Sequence, residues 1–450
     1  MNIGEFQQAL FTKGYESGFT EMEIYYASGR STSVSVRKGE IDTYTIVESG
    51  GLSFRGLIHG KMGYASTERM DQDSIAFLLK EAAGNAEAVE TEDLEELFAG
   101  SSQYAELVPC SDSLIHTPAE KLIEASLSME KAALESDPRI HMVRRSSASV
   151  SESEVLLANT KGLNCHRKNS YGSASLYMIA KENNNSEDSV TGGWFDYSLS
   201  NFDNVNPEAV AEKGVQEALS KLGATSLKSD AYPVILRNDA ATQLLSSFTS
   251  IFSGEAVEQG FSRLKGKLGE QIAGTNVSLI DDPLMANTIS ARTFDAEGSA
   301  TARHEVIKDG KLLTFLHNRK TARKAGVEST GNAAKNGYKG QIEVSHHNLY
   351  IAPGGSSLSE MIQGTEQGLM IVELQGLHSG TDATSGNFSL AAVGHYIEKG
   401  VIVRPVNQIT ISGNFFELLN EIECIGNDPR FIGSCTSPSL KLKSLSVSGS

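Results

Sequence analysis

Gly51-Leu52-Ser53-Phe54-Arg55-Gly56-Leu57-Ile58-His59-Gly60-Lys61-Met62-Gly63-Tyr64-Ala65 is the stretch whose reading decides the fold. Leu52 and Phe54 alternate with Ser53 and Arg55, and His59-Gly60 stands where a two-residue turn belongs. The pattern predicts a hairpin joining residues 51–58 to 62–65. Such alternation belongs to an antiparallel sheet with one solvated face. Gly56 to Lys61 also approaches a phosphate loop, but its glycines are one residue too close and Met62 replaces the hydroxyl that would hold magnesium. The hairpin is the reading.

Upstream, residues 22–27, 32–37 and 41–47 read as further short strands, with Gly39 as a turn, after a helix over about residues 3–15. Downstream the period changes. Ile75, Leu78, Leu79, Ala82, Ala83 and Ala86 recur at helical spacing within 71–89, and the acidic stretch 87–96 reads as a solvated helix end and linker. Thr117-Pro118-Ala119-Glu120 matches a capping box and predicts a helix to about residue 135. Residues 139–198 form a second strand set, turning at Lys161-Gly162 and within 183–189. Asn206-Pro207 opens a helix whose stripe is Ala211, Val215, Ala218, Leu219 and Leu222.

A boundary falls in 223–230, before a strand over 232–237. The second half is strand-rich, with hairpins around Asp309-Gly310 (301–307 to 311–316) and Lys399-Gly400 (391–397 to 401–404). Residues 326–340 form a long Gly/Asn/Ser loop, read as a mobile connection, and 439–447 a closing strand. The expected class is α+β. An N-terminal α/β-mixed region with antiparallel sheets spans 1–110, a middle α+β region packing with it spans 111–226, and a β-rich C-terminal domain spans 227–450.

The chain of 450 residues carries 39 Lys and Arg against 56 Asp and Glu, a net charge of −17. That balance argues against nucleic acid as a partner, because such binding depends on cations displacing counterions. Met1-Asn2-Ile3-Gly4-Glu5-Phe6 lacks the basic and apolar regions of a signal peptide. No run approaches the roughly 18 apolar residues of a membrane span. Cys110, Cys165, Cys424 and Cys435 are sparse and form no C-x-x-C pair, as expected of a cytoplasmic protein.

Familiar catalytic signatures are missing. No two glycines are separated by a single residue, which rules out G-x-G-x-x-G, and G-x-S-x-G does not occur. The ten histidines include no pair at i, i+4, the spacing that puts two ligands on one helix face. His346 and His347 are adjacent and would point apart on a strand. His304-Glu305 begins like a zinc motif but no second histidine follows, so His304 reads as structural.

Several blocks together resemble the TldD/PmbA family. They are Gly51-Leu52-Ser53-Phe54-Arg55 with Gly63-Tyr64-Ala65-Ser66-Thr67, Ser329-Thr330-Gly331-Asn332, and Gly376-Leu377-His378-Ser379-Gly380 through Ser385-Gly386-Asn387-Phe388-Ser389. Ile411-Ser412-Gly413-Asn414, Ile425-Gly426-Asn427-Asp428 and Leu445-Ser446-Val447-Ser448-Gly449 complete the series, which covers almost the whole chain. The resemblance implies an α+β N-terminal region, a β-rich C-terminal domain and a dimer. Members of the TldD type are zinc metallopeptidases acting on peptides and flexible segments. Their His-Glu-x-x-x-His helix and a late cysteine hold the metal, and the glutamate serves as general base. An older family label, modulator of DNA gyrase, points toward DNA, which the −17 charge does not favour for direct contact.

Gly266-Lys267-Leu268-Gly269-Glu270 resembles the family segment that follows the metal helix. Counting back without gaps places the two histidine positions near Leu245 and Ser250, and no histidine occurs between His166 and His304. The resemblance therefore implies the PmbA or TldE type. On that reading the chain has no metal ligands or cofactor of its own, zinc sits on a TldD-type partner subunit, and peptide is the substrate. The chain forms a heterodimer with that partner and a homodimer when alone.

Cys435 stands where the family keeps its late cysteine, and His378 sits in a glycine-rich loop; both are weak candidates for catalysis. Two alternatives stay open. One is an autonomous hydrolase using His378, Cys435 and a carboxylate such as Asp382. The other is a homodimeric peptide-binding module without peptidase activity.

Overall fold

The structure is a computed structural model and describes residues 1–88, 96–107, 111–183 and 188–449. Cys110, most of the acidic stretch 87–96 and most of the turn 183–189 lie outside the described residues.

The N-terminal and middle segments share one antiparallel sheet of six strands. Its order is Lys61–Thr67, Glu40–Ile58, Glu21–Arg37, Ile140–Asn159, Asn164–Ala180, Val190–Ser198. The short strands expected from the sequence are fused. Residues 22–27 and 32–37 lie on one strand of 17 residues, and 41–47 and 51–58 on one of 19. The ladder passes through Ser28↔Gly50, Gly29↔Ser49 and Arg30↔Glu48 without a break. Pairing with Ile140–Asn159 on the other side holds the Ser28–Ser31 stretch extended; local composition does not record that support.

Side chains alternate across this sheet. Met22, Ile24 and Leu52 face the helices Ile3–Glu16 and Gln72–Ala88, burying Phe6, Leu10, Ile75, Leu78 and Ala82. Val34, Val150, Leu176 and Met178 face Ala119–Ser136 and Pro207–Leu219, burying Leu122, Met129, Val210 and Val215. All four helices lie on one face. The other face is not simply solvated: Tyr25, Val155, Leu157 and Cys165 pack against Phe294, Ala296 and Ala333 of the C-terminal half. The second helix start also differs from the sequence reading. Ala119–Ser136 begins as expected, but Thr117 donates its hydroxyl to Leu114 O at 2.7 Å, so no capping box forms.

The C-terminal half closes a barrel. Val401–Asn414, Asn387–Glu398, Gln367–Gln375, Asp230–Leu236 and Leu440–Ser448 pair in that order, and Thr410–Ser412 returns to Ser446–Ser448. Closure removes open edges around the core that holds Phe248, Phe252, Phe388 and Phe415. The turns Lys38-Gly39, His59-Gly60, Asp309-Gly310 and Lys399-Gly400 all take positive φ at both residues. This is the twist that tight hairpins require and that glycine supplies most cheaply. Around Asp309-Gly310 the ladder is short, His304–Lys308 with Lys311–Leu312, because Leu316 leaves it to donate to Phe252 O.

The loop read as mobile is anchored. Asn332 is fully buried and donates to Asp281 Oδ2 at 2.7 Å. Beyond it Ala333–Lys335 pairs with Ile342–Val344.

Candidate functional site

Two places in the fold carry chemistry. The first is the helix Asn238–Phe248, which follows the barrel strand Asp230–Leu236. The strand Cys435–Thr436 packs along it, with Ser437 N donating to Thr242 Oγ1 at 2.9 Å. The Cys435 thiol is buried, which pushes its pKa up to about 11, and Ser246 hydrogen-bonds it. Leu245 is buried in the core, whereas Ser250 is exposed on the 3-10 turn Thr249–Phe252 that continues the helix. The one-turn helix Leu377–Gly380 packs beside the same helix and exposes His378. The Ser385 hydroxyl, with the backbone N–H groups of Ser385 and Thr384, donates to Asp382 and holds its carboxyl below the usual range. Thus Cys435 and His378 flank one helix, but among the described residues no hydrogen bond or ion pair joins His378, Cys435 and Asp382.

Of the remaining histidines, His166 meets the Glu154 carboxylate at 2.7 Å, and others meet backbone or hydroxyl oxygens. His304 Nε2 meets Thr330 O at 2.9 Å, and His347 Nε2 meets Gly331 O at 2.6 Å. His346 turns instead toward Ser434 Oγ, 3.3 Å away. The pair lies in a bend after Ile342–Val344.

The second place is a cavity of about 840 Å³ between the N-terminal sheet and the C-terminal loops. At its base Arg55 Nε donates to Glu23 Oε1 at 2.6 Å, and Asn159 Nδ2 donates to the other oxygen at 3.0 Å. Burial opposes the Arg55 charge, but Glu23 holds its pKa above the usual value. Lys335 Nζ donates to Ser53 Oγ at 2.6 Å and lies 4.7 Å over the Tyr25 ring. Burial and Arg55 lower its pKa to about 8, against the opposing pull of Glu23. Glu297 is buried, which raises its pKa, and accepts Arg319 N at 2.8 Å. Tyr104 OH donates to Gly298 O at 2.7 Å, so residues 96–107 strap the same loops to the sheet.

The PmbA/TldA metallopeptidase domain 1 matches residues 22–86, the central domain of that family 112–222 and its C-terminal domain 229–449. The chain belongs to the PmbA/TldD metallopeptidase family. It is 29% identical to the metalloprotease PmbA of Escherichia coli over 431 residues, covering 95% of this chain and 92% of that one. A solved structure from Thermotoga maritima, described as a candidate modulator of a DNA gyrase, is 31% identical and covers 99% of this chain and 100% of that one, with a TM-score of 0.91. The TldE structure from Thermococcus kodakarensis is 24% identical over 99% of this chain and 100% of that one, with a TM-score of 0.89, and shows the shared fold.

Family membership raises zinc, and the residues at Asn238–Phe248 do not fit it. A catalytic zinc takes three nitrogen, sulfur or carboxylate ligands. Here Leu245 is buried hydrocarbon, Ser246 and Ser250 are hydroxyls, and Cys435 is a thiol that burial keeps protonated. Among the described residues no group of three His, Cys, Asp or Glu side chains is placed to hold a metal ion.

Sequence reasoning passed over Lys335, Arg55 and Glu297. A signal for one of them was present: Arg55 and Glu23 are opposite charges at the polar positions of two alternating strands, facing each other in register.

Proposed function

We propose that this chain is the zinc-free, PmbA/TldE-like subunit of a two-subunit peptidase in the cytoplasm. It pairs with a TldD-type chain that holds the zinc, and with itself when alone. Its contribution is to enclose the substrate cavity and to hold a peptide or flexible segment while the partner cleaves it. One observation carries this reading. The strand bearing Cys435 packs on the helix Asn238–Phe248, the place the resemblance assigns to the metal, yet the side chains there are leucine and serine.

An extended segment needs main-chain partners, and the long strand Glu40–Ile58 offers them. Lys61–Thr67 pairs only from Leu52 onward, so, among the described residues, 40–50 form a free edge with Ile41, Tyr44, Ile46 and Val47 exposed. Among the described residues no helix is long and apolar enough to cross a membrane.

The test is cleavage of an unstructured peptide by this chain alone, by a TldD-type chain alone, and by the two co-expressed. Cleavage that needs both, with zinc recovered on the TldD-type chain, is the expected result. Metal-dependent cleavage by this chain by itself would overturn it.

A further inference from the structure

Lys335 reaches from the strand Ala333–Lys335 into the cavity between the N-terminal sheet and the C-terminal loops, and it is half-buried there. Its ammonium rests on the Ser53 hydroxyl, at 2.6 Å, and over the Tyr25 ring, at 4.7 Å. The charged groups near it are Arg55 and Glu23. Glu23 is committed elsewhere: one oxygen takes Arg55 Nε at 2.6 Å and the other takes Asn159 Nδ2 at 3.0 Å. Among the described residues no carboxylate is in ion-pair contact with Lys335. Lys339, on the same cavity wall, is held differently and pairs with Glu68 at 3.0 Å. Lys335 is thus an amine partly stripped of water and set beside a guanidinium. Burial and a neighbouring cation both oppose its charge, and its pKa falls to about 8.

Contacts to a hydroxyl and a ring would serve equally well for a lysine that only ties the two halves of the chain together. Two features go beyond such a tie. The cavity in front of the amine has a volume of about 840 Å³, within the range of sites that enclose a small organic ligand. Phe77, Tyr64 and Tyr338 line it and supply apolar surface. The second feature is Arg55. A cation beside a tethering ammonium weakens the tie, whereas beside a nucleophilic amine it helps to keep the lone pair free. The product then selects the electrophile. Acylation would leave a neutral amide and remove the cation from the Tyr25 ring for good. Condensation with an aldehyde leaves an imine, whose nitrogen takes up a proton and stays positive over the ring.

The geometry points to Lys335 as a covalent attachment site for a small aldehyde, with the cavity enclosing the body of the ligand. The free amine adds to the carbonyl carbon. The adduct then loses the carbonyl oxygen as water, which carries off both hydrogens of the amine, and a C=N bond remains. Protonation of that nitrogen restores the positive charge. No oxidant or reductant enters the step. It is independent of the peptidase reading, because neither a partner subunit nor peptide cleavage takes part.

The probe is benzaldehyde with sodium cyanoborohydride, which reduces the imine to a stable benzylamine. The purified chain is treated at pH 7, and mass spectrometry of its peptides follows each lysine. At that pH about a tenth of an amine titrating near 8 is free, against less than roughly a thousandth of an ordinary lysine. Lower basicity takes back part of the advantage, as it does for thiols. Lys335 is therefore expected to react about tenfold faster than Lys267, which is exposed in the loop 265–270. Its rate should level off above about pH 8, while that of Lys267 keeps rising. Formaldehyde, too small to use the cavity walls, should favour Lys335 over Lys267 less than benzaldehyde does. The comparison is made within the wild-type chain, so it does not depend on a variant that folds. A native Lys335 that reacts no faster than Lys267, labelling that appears only after unfolding in urea, or the same preference with both aldehydes would each overturn the proposal.

Discussion

Lys335 Nζ lies 2.6 Å from Ser53 Oγ, a contact that joins the C-terminal loops to the N-terminal sheet across 282 positions of chain. Its ammonium faces Arg55 and Glu23 and lies over the Tyr25 ring. Burial and Arg55 bring its pKa to about 8, whereas an unfolded lysine titrates near 10.4. Between those values the folded chain has lost a proton that the unfolded chain keeps, so this group makes stability rise with pH there. Below about pH 8 the buried cation counts fully against folding.

Glu23 and Arg55 form a buried pair, with side chains 4% and 12% exposed. Glu23→Gln leaves the guanidinium without its countercharge and is expected to cost about 3–5 kcal/mol in urea denaturation. Replacing both at once, Glu23→Leu with Arg55→Met, should cost much less than the two single changes summed. Additive losses would show that the two residues act independently.

Asp295 is buried, and both its oxygens accept backbone N–H groups: Glu297 and Ser299 at 2.9 Å, Ala333 at 3.0 Å. Burial, with Glu297 adding to it, nevertheless raises its pKa to about 7. The folded chain then holds a proton between about pH 4 and 7 that the unfolded chain has released, and stability falls as pH rises through that window. Asp295→Asn turns an amide NH₂ toward one of the N–H donors and is expected to cost about 2 kcal/mol. Its deficit should be larger at pH 5 than at pH 8, a trend that thermal unfolding at the two values would reveal.

Cys435→Ala and His378→Ala separate the subunit reading from an autonomous enzyme. The first removes a buried sulfur and should cost about 1 kcal/mol; the second is on the surface and should change stability by less than about 0.5 kcal/mol. Cleavage by the complex with a TldD-type chain should survive both. Loss of turnover in either variant, with the fold intact, would assign that residue to catalysis.

The elements whose signal is local were legible in the sequence. The stripe through Ile75, Leu78, Leu79 and Ala82 became a buried helix face. The glycine turns became hairpins, and Asn206 caps its helix by accepting from Ala209 N. The absence of imidazole at Leu245 and Ser250 is likewise visible in one dimension. Where the reading failed, a contact outside the recognised pattern decided, once near in sequence and once far. Leu114 O claimed the Thr117 hydroxyl, and Ile140–Asn159 kept Ser28–Ser31 extended.

By itself, then, the sequence determined the periods, the turns, the acidic charge and the family blocks, because each is set by neighbours along the chain. The cavity was decided only in three dimensions. Arg55, Lys335, Arg319 and Glu81 sit on four separate elements, and Arg55 and Lys335 lost their water only when packing brought such elements together. No spacing along the chain records that desolvation.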